Sequence, residues 1–186
     1  MRDRQKELLE LLDKSGANLY ALLTRLTLRE DIAEELMQEL FIKLNNSRHF
    51  YKAANRQAYV RRAAINLAFD WRRSRKRNPF RLDQVREPAS NDSSPLGKLV
   101  RTEELDEILN AIGRLNRSSR EAFVMRYIQE ESYDYIAEQL DKTAHHVRAL
   151  CSRALNRLRD VLGHDQRLSF EKEKHNVKNW RKPNRT

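Results

Sequence analysis

Cysteine is almost missing from this chain. Cys151 is the single one in 186 residues, so no internal disulfide can form, and the usage suits a reducing compartment. Glycine and proline number four each, which leaves few of the breakers that short strands and hairpins need. No apolar run approaches the roughly twenty residues a membrane helix requires. The first residues, MRDRQKELLELLDKSG, make a charged amphipathic start and not a signal peptide. There is also no glycine-rich phosphate loop, no metal-ligand spacing and no nucleophile with a partnered histidine and acid. Small basic nucleases cluster carboxylates at a metal, whereas the acidic residues here fall on helix faces. The expectation is a soluble cytoplasmic protein, not an enzyme, with no catalytic residue, no cofactor, no metal site and no membrane insertion.

What is present is helical periodicity and positive charge. Thirty-seven Lys and Arg against 27 Asp and Glu give a net charge of +10, and the sequence pI is near 9.9. A polyanionic partner follows as a first expectation. The charge is segregated. Glu30 to Leu44 holds five acidic residues against one lysine, whereas Arg56 to Arg77 holds eight basic residues against Asp70. Arg101 to Asp141 is acidic again, ten against five, and Lys142 to Leu162 returns to a local +4. Solubility alone would intersperse the signs. Two basic helices beside acidic neighbours point to two nucleic-acid contacts, backed by surfaces that face something else.

Three of the four prolines fall in Asn78 to Gly97, with a Ser and Asn cluster and no helical period. That stretch reads as a flexible linker. The expected organisation is all-α: a helical domain over 1–77, a linker over 78–98, a second helical domain over 99–162, and a basic tail over 163–186. Disorder is the expectation for that tail, with a small additional phosphate contact as its functional alternative.

Ser132 to Leu162 predicts two helices around a tight turn. The first is offered by Tyr135, Ile136, Ala137 and Leu140, and Thr143 stands where the second would be N-capped. Val147, Leu150, Ala154, Leu158 and Val161 form one stripe of 3.6-residue period. Arg148, Arg153, Arg157 and Arg159 ride on the same helix. Helix, turn and basic amphipathic helix match the geometry that lays a recognition helix in the DNA major groove. An ordinary helical hairpin with a solvated charged face fits the same stretch.

In the N-terminal half, Ile32, Leu36, Leu40 and Leu44 form an apolar stripe, with Glu34, Glu35, Gln38 and Glu39 off it. A core helix with a solvated acidic face fits this pattern, and so does a docking surface for a basic helix. The next helix, from Gln57 to about Arg75, is expected to bury Val60, Ala64, Leu67, Ala68 and Trp71. Its other face offers Tyr59, Arg62, Asn66, Phe69 and Arg73. Arginines neutralise phosphate, rings stack on unpaired bases and an amide reads a base edge, which is single-strand binding chemistry. Asn45 to Asn55 reads as a polar loop. Its His49, Phe50 and Tyr51 are open to two roles, base stacking or local core anchoring.

At these residues the chain resembles bacterial sigma factors. AEELMQELF (Ala33 to Phe41) is similar to the A-E-D-L-V-Q-E-x-F segment of their region two. AYVRRAAINLAFDWRRSRKR (Ala58 to Arg77) is similar to the A-W-L-Y-R-I-A-R-N-L-A-x-D-x-x-R-R-x-x-R segment that follows. Leu105 to Leu162 resembles region four, in which a helix ending L-P-x-x-x-R-E precedes L-S-Y-x-E-I-A and a helix-turn-helix. Order and spacing, with no region-three domain, are similar to the extracytoplasmic-function group, group 4. The resemblance covers most of residues 18 to 162.

It implies a subunit that binds core RNA polymerase, through the clamp helices of the largest subunit and the flap, and directs it to promoter DNA. By motif position Glu35, Gln38 and Glu39 would dock on the clamp. Minus-ten recognition and melting would fall to His49, Phe50, Tyr51, Tyr59, Arg62, Asn66, Arg73 and Arg77. Minus-thirty-five contacts would fall to Thr143, His145, His146, Arg148, Ser152, Arg153 and Arg157. Melting needs no catalytic group, because captured bases offset the few kcal/mol of unstacking. An anti-sigma factor is a further partner the resemblance allows.

The chain also departs from the family pattern. Tyr59 replaces Trp, Arg61 stands where Tyr is frequent, Asp141 replaces the Gly of the turn, and Lys142 replaces an apolar residue. Asp tolerates a left-handed backbone better than most residues. His145 and His146 diverge on a helix and Cys151 lies five residues on, so they do not make a metal pair. A stand-alone helix-turn-helix regulator is the rival reading; it accounts for the C-terminal half and leaves Ala33 to Arg77 idle.

Overall fold

The structure, a computed structural model, describes residues 2–77 and 95–163; the side chains of 2–5, 77 and 95–101 lie outside that description. The tail from 164, with its expected phosphate contact, and most of the expected linker lie outside it as well. All the regular structure described is helical.

The N-terminal half is built from four helices. Helix α1 (Arg2–Thr27) buries Leu8, Leu19, Leu22, Leu23 and Leu26, a stripe at helical spacing. Leu28 ends it in a left-handed conformation, φ 60°, and its N–H donates to the Thr24 carbonyl at 2.8 Å. Helix α2 (Glu30–Asn46) starts with Glu30 and Asp31 at the positive end of its dipole and buries Ile32, Ala33, Leu36, Leu40 and Leu44.

The expected polar loop is largely helical. Helix α2 runs to Asn46, and the short α3 (Arg48–Lys52) follows at once, its Phe50 N–H donating to the Ser47 hydroxyl at 3.2 Å. Phe50 explains the compaction: it is fully buried, and its ring packs edge-on against Tyr51 at 4.9 Å between centroids. Helix α4 (Arg56–Arg77) opens on Asn55, whose Oδ1 accepts from the Ala58 N–H at 2.9 Å.

Helix α5 (Pro95–Gly113) begins inside the expected linker, with proline in the first turn, where its missing N–H removes no helical bond. Helix α6 (Arg117–Phe123) is capped by Asn116, whose Oδ1 accepts from the Ser119 N–H at 2.9 Å. It runs on into a π-helical turn, Val124–Ile128, closed by Glu130 at φ 59°. Helix α7 (Tyr133–Leu140) is capped by Ser132 and ends on Asp141, left-handed at φ 52°, ψ 56°. The turn geometry a glycine would adopt is therefore supplied by aspartate. Helix α8 (Ala144–Leu162) is capped by Thr143, whose Oγ1 accepts from the His146 N–H at 3.2 Å.

One helix joins the two halves. Helix α4 packs on α1, α2 and α3 on one side and on α5, α6 and α7 on another. It buries Val60, Ala64, Leu67 and Ala68 as the sequence pattern requires, and also Ile65, Phe69 and Arg72. Trp71, expected in the core, is only half-buried, with the Arg75 guanidinium 5.7 Å from its ring centroid. The buried apolar residues of both halves form one continuous cluster.

Candidate nucleic-acid interface

Helix α8 presents what its periodicity requires. Val147, Leu150, Cys151, Ala154 and Leu158 are buried against the rest of the C-terminal half. Thr143, His145, His146, Arg148, Ser152, Arg153 and Arg157 are all exposed: His145, Arg148, Ser152 and Arg153 lie opposite the buried stripe, His146 and Arg157 flank it, and Thr143 stands at the N-cap. Val161, expected to continue the apolar stripe, is 42% exposed near the helix end. Two arginines flank one ring here: Arg126 and Arg148 lie 4.8 and 5.2 Å from the Tyr133 centroid, tying α8 to the π-helical turn. His146, Arg153 and Arg157 line an open groove of about 600 Å³ that reaches Asn116 and Ser119 at the start of α6. A cationic, hydroxyl-bearing helix face of this kind can neutralise phosphate and donate to base edges.

The acidic face of α2 is equally open. Glu35, Gln38 and Glu39 are exposed together with Glu34, and Glu39 pairs with Lys43 at 3.2 Å. Ile42, 58% exposed, adds an apolar point to the same helix.

The residues expected to hold a melted strand are arranged differently from the sequence reading. His49 is exposed and Tyr51 half-buried, but Phe50 takes the core-anchor role of its two alternatives and offers no ring face to a base. Tyr59 is half-buried, its hydroxyl 3.1 Å from that of Ser47. Arg62 bonds back to the Ala58 carbonyl at 3.4 Å, and Arg73 is exposed beside Asp70. The Arg77 side chain lies outside the described residues.

Asn66 is half-buried, with its amide turned onto neighbouring groups. Its Nδ2 donates to Glu121 at 2.6 Å and to the Arg62 carbonyl at 2.7 Å, and its Oδ1 accepts from Arg120 at 2.7 Å. Phe69, placed on the open face by the sequence pattern, is fully buried; the Arg120 guanidinium sits 5.3 Å from its centroid and Gly113 abuts its edge. Burying a phenylalanine is worth roughly 1.5–3 kcal/mol, more than an exposed basic face could return by keeping the ring wet.

Several charged residues pair across this junction, a use the sequence pattern did not predict. Arg72, within the basic run, is buried and donates to the Leu26 carbonyl at 3.1 Å and to the Asp106 carboxylate at 2.6 Å. Burial pulls its pKa down and the Asp106 charge opposes that shift. Arg120 is likewise pulled down by burial, then by the nearby Arg73 charge, with Asp70 and Glu121 opposing. Arg61 pairs with Glu131 at 2.7 Å and lies over the Tyr135 ring. The acidic stretch 101–141 facing the basic stretch 56–77 was the available signal for these pairs.

Among the described residues no helix is long and apolar enough to cross a membrane, and no group of three or more His, Cys, Asp or Glu could hold a metal ion.

With this geometry in view, the chain matches two family models: Sigma-70 region 2 over residues 11–78 and Sigma-70, region 4 over residues 105–158, together roughly two thirds of its length. The chain belongs to the sigma-70 family. It is accordingly a sigma factor, a DNA-binding factor of transcription initiation, built from non-enzymatic domains. A solved structure with a similar chain is the sigma factor RpoE in complex with the anti-sigma factor NepR from Bartonella quintana. It shares 24% identity, covers 89% of this chain and 99% of its own, and superposes with a TM-score of 0.47. No curated protein gives a significant sequence match. The region 2 match spans most of α1 and all of α2 to α4, and the region 4 match spans the second half of α5 and runs through α6 and α7 into α8.

Proposed function

We propose that this sigma factor is of the extracytoplasmic-function type, carrying core RNA polymerase to promoters with regions two and four alone. The carrying observation is the order and spacing of the two matched regions: residues 79–104 separate them, too few for a further domain of the usual fifty residues or more. Core polymerase docks on Glu35, Gln38 and Glu39 of α2, whose exposed carboxylates suit a basic coiled coil. The minus-ten strand meets His49, Tyr51, Tyr59, Arg62, Asn66, Arg73 and Arg77 around α3 and α4. Helix α8 reads the minus-thirty-five duplex with Thr143, His145, His146, Arg148, Ser152, Arg153 and Arg157. An anti-sigma protein is the further partner the family resemblance implies, and the cytoplasm is the compartment in which this work is done.

The test is reconstituted transcription. Core polymerase with this protein on a genomic promoter library yields discrete start sites that core alone lacks. No start sites, combined with tight duplex binding by the protein by itself, would move the chain to the stand-alone helix-turn-helix regulators.

A further inference from the structure

We infer that Tyr133 is a positioning residue for Arg148: its ring holds the guanidinium at one setting on α8, so that the arginine reads a base edge of duplex DNA. The inference rests on the duplex-reading role proposed above for α8.

Tyr133 opens α7, directly after the Ser132 cap, and Arg148 lies in the second turn of α8. The chain between them is pinned by the left-handed turn at Asp141 and by the Thr143 cap. Arg148 is exposed, yet its guanidinium carbon stands 5.2 Å from the Tyr133 centroid, within the roughly 6 Å over which a ring face attracts a cation. The ring is itself held. It is half-buried, and the Arg126 guanidinium of the π-helical turn lies 4.8 Å from the same centroid. Arg126 in turn donates to the Glu131 carbonyl at 3.1 Å. A line of contacts thus runs from the π-helical turn through the ring to the open face of α8.

Only one kind of DNA contact needs such a support. A phosphate contact asks for positive charge near an oxygen, and a mobile side chain supplies it. A bidentate contact with a base edge asks for a guanidinium plane at a set angle. A mobile arginine loses rotamer freedom in taking up that angle, and a ring contact made before DNA arrives lowers the loss on binding. Arg153 and Arg157, the other exposed arginines of α8, have no ring beside them among the described residues. Arg153 instead bonds back to the Ala149 carbonyl at 3.2 Å. The ring therefore singles out Arg148 for bases and leaves the other two for phosphate.

The experiment uses the full chain with core polymerase on a promoter library whose upstream duplex element is randomised, and scores start-site yield against the base at each position. Arg148→Ala is expected to remove a base preference of roughly tenfold at one position, the scale of one bidentate contact. Tyr133→Leu is expected to remove most of that same preference and leave the others, and Tyr133→Phe to keep it. In the Arg148→Ala background, Tyr133→Leu is expected to remove nothing further. A ring that merely supported the fold would lower yield at every promoter alike, and in both backgrounds. Tyr133 is half-buried at a helix start, so the leucine variant is expected to fold; should its thermal melt show otherwise, Tyr133→Gln takes its place and is read the same way. A preference lost in Arg148→Ala but kept in Tyr133→Leu overturns the positioning role and leaves Arg148 as a reader. Preferences untouched by Arg148→Ala overturn the reading role of Arg148, and its positioning with it. No start sites from the wild type overturn the proposed function itself.

Discussion

Asn66 and Glu121 are 55 residues apart in the chain and 2.6 Å apart in the structure. The amide lies on α4, the helix proposed to meet the melted strand, and the carboxylate lies on α6, in the half that holds α8. Their bond makes the two halves of this sigma factor one folded object along α4, and Arg72 lies two turns further along the same seam.

Arg72 is buried and bonded to α1 and α5 at once. Arg72→Ala leaves the Leu26 carbonyl without that donor and is expected to cost about 1.5–3 kcal/mol, the range for hydrogen bonds made by a charged group, while Asp106, 38% exposed, keeps water and Asn110 as partners. Asp106→Asn costs less, about 1–2 kcal/mol, because the guanidinium keeps its carbonyl partners. Urea unfolding checks both. Equal, sub-kilocalorie losses would mean Arg72 is not the pin described here.

Asp141 holds a left-handed turn that glycine adopts without steric cost. Asp141→Gly is expected to raise stability by about 0.5–1 kcal/mol, and Asp141→Ala to lower it by about 1 kcal/mol. Thermal melts of the pair decide it, and stabilisation by alanine would contradict the left-handed assignment.

Thr143 caps α8. Thr143→Ala is expected to cost about 1 kcal/mol through fraying of the first turn, and Thr143→Ser to restore most of it. Amide hydrogen exchange at His145 and His146 reads the fraying directly; protection unchanged in the alanine variant would remove the cap from the account.

Charge reversal at Glu35 and Glu39 tests the docking face. Both side chains are exposed and neither supports the core, so Glu35→Lys with Glu39→Lys is expected to abolish core polymerase binding while stability falls by only about 0.5–1 kcal/mol through loss and reversal of the Glu39–Lys43 pair. Core affinity surviving that change places docking elsewhere.

Asp31 gives a pH signature. The hydrogen bond from Arg29, and then the Arg29 charge, hold its carboxyl below the ordinary value near 3.8. A depressed folded value stabilises the fold above the unfolded value, and that contribution is lost as pH falls through the folded one. Arg29→Gln is expected to move the Asp31 titration, followed by NMR, back up towards 3.8. A midpoint that stays put would show that Arg29 is not its cause.

Much of the molecule was legible in residue order alone. The helical class, the stripe from Val147 to Leu158, the Thr143 cap and the turn at Asp141 are local properties, set by a 3.6-residue period and by side chains that bond backbone a few positions away. The exposed face of α8 follows, because it lies opposite a buried stripe. Tertiary structure decided α4. A helix covered from two directions buries a second set of residues, and periodicity measured against one neighbour misassigns that set as open surface. Phe69, Asn66 and Arg72 belong to it, since their partners Arg120, Glu121 and Asp106 arrive from tens of residues away and only the path of the chain brings them there. Phe50 turned inward for a related reason: a five-residue helix between α2 and α4 points its ring at the bundle, where burial outweighs exposure to water.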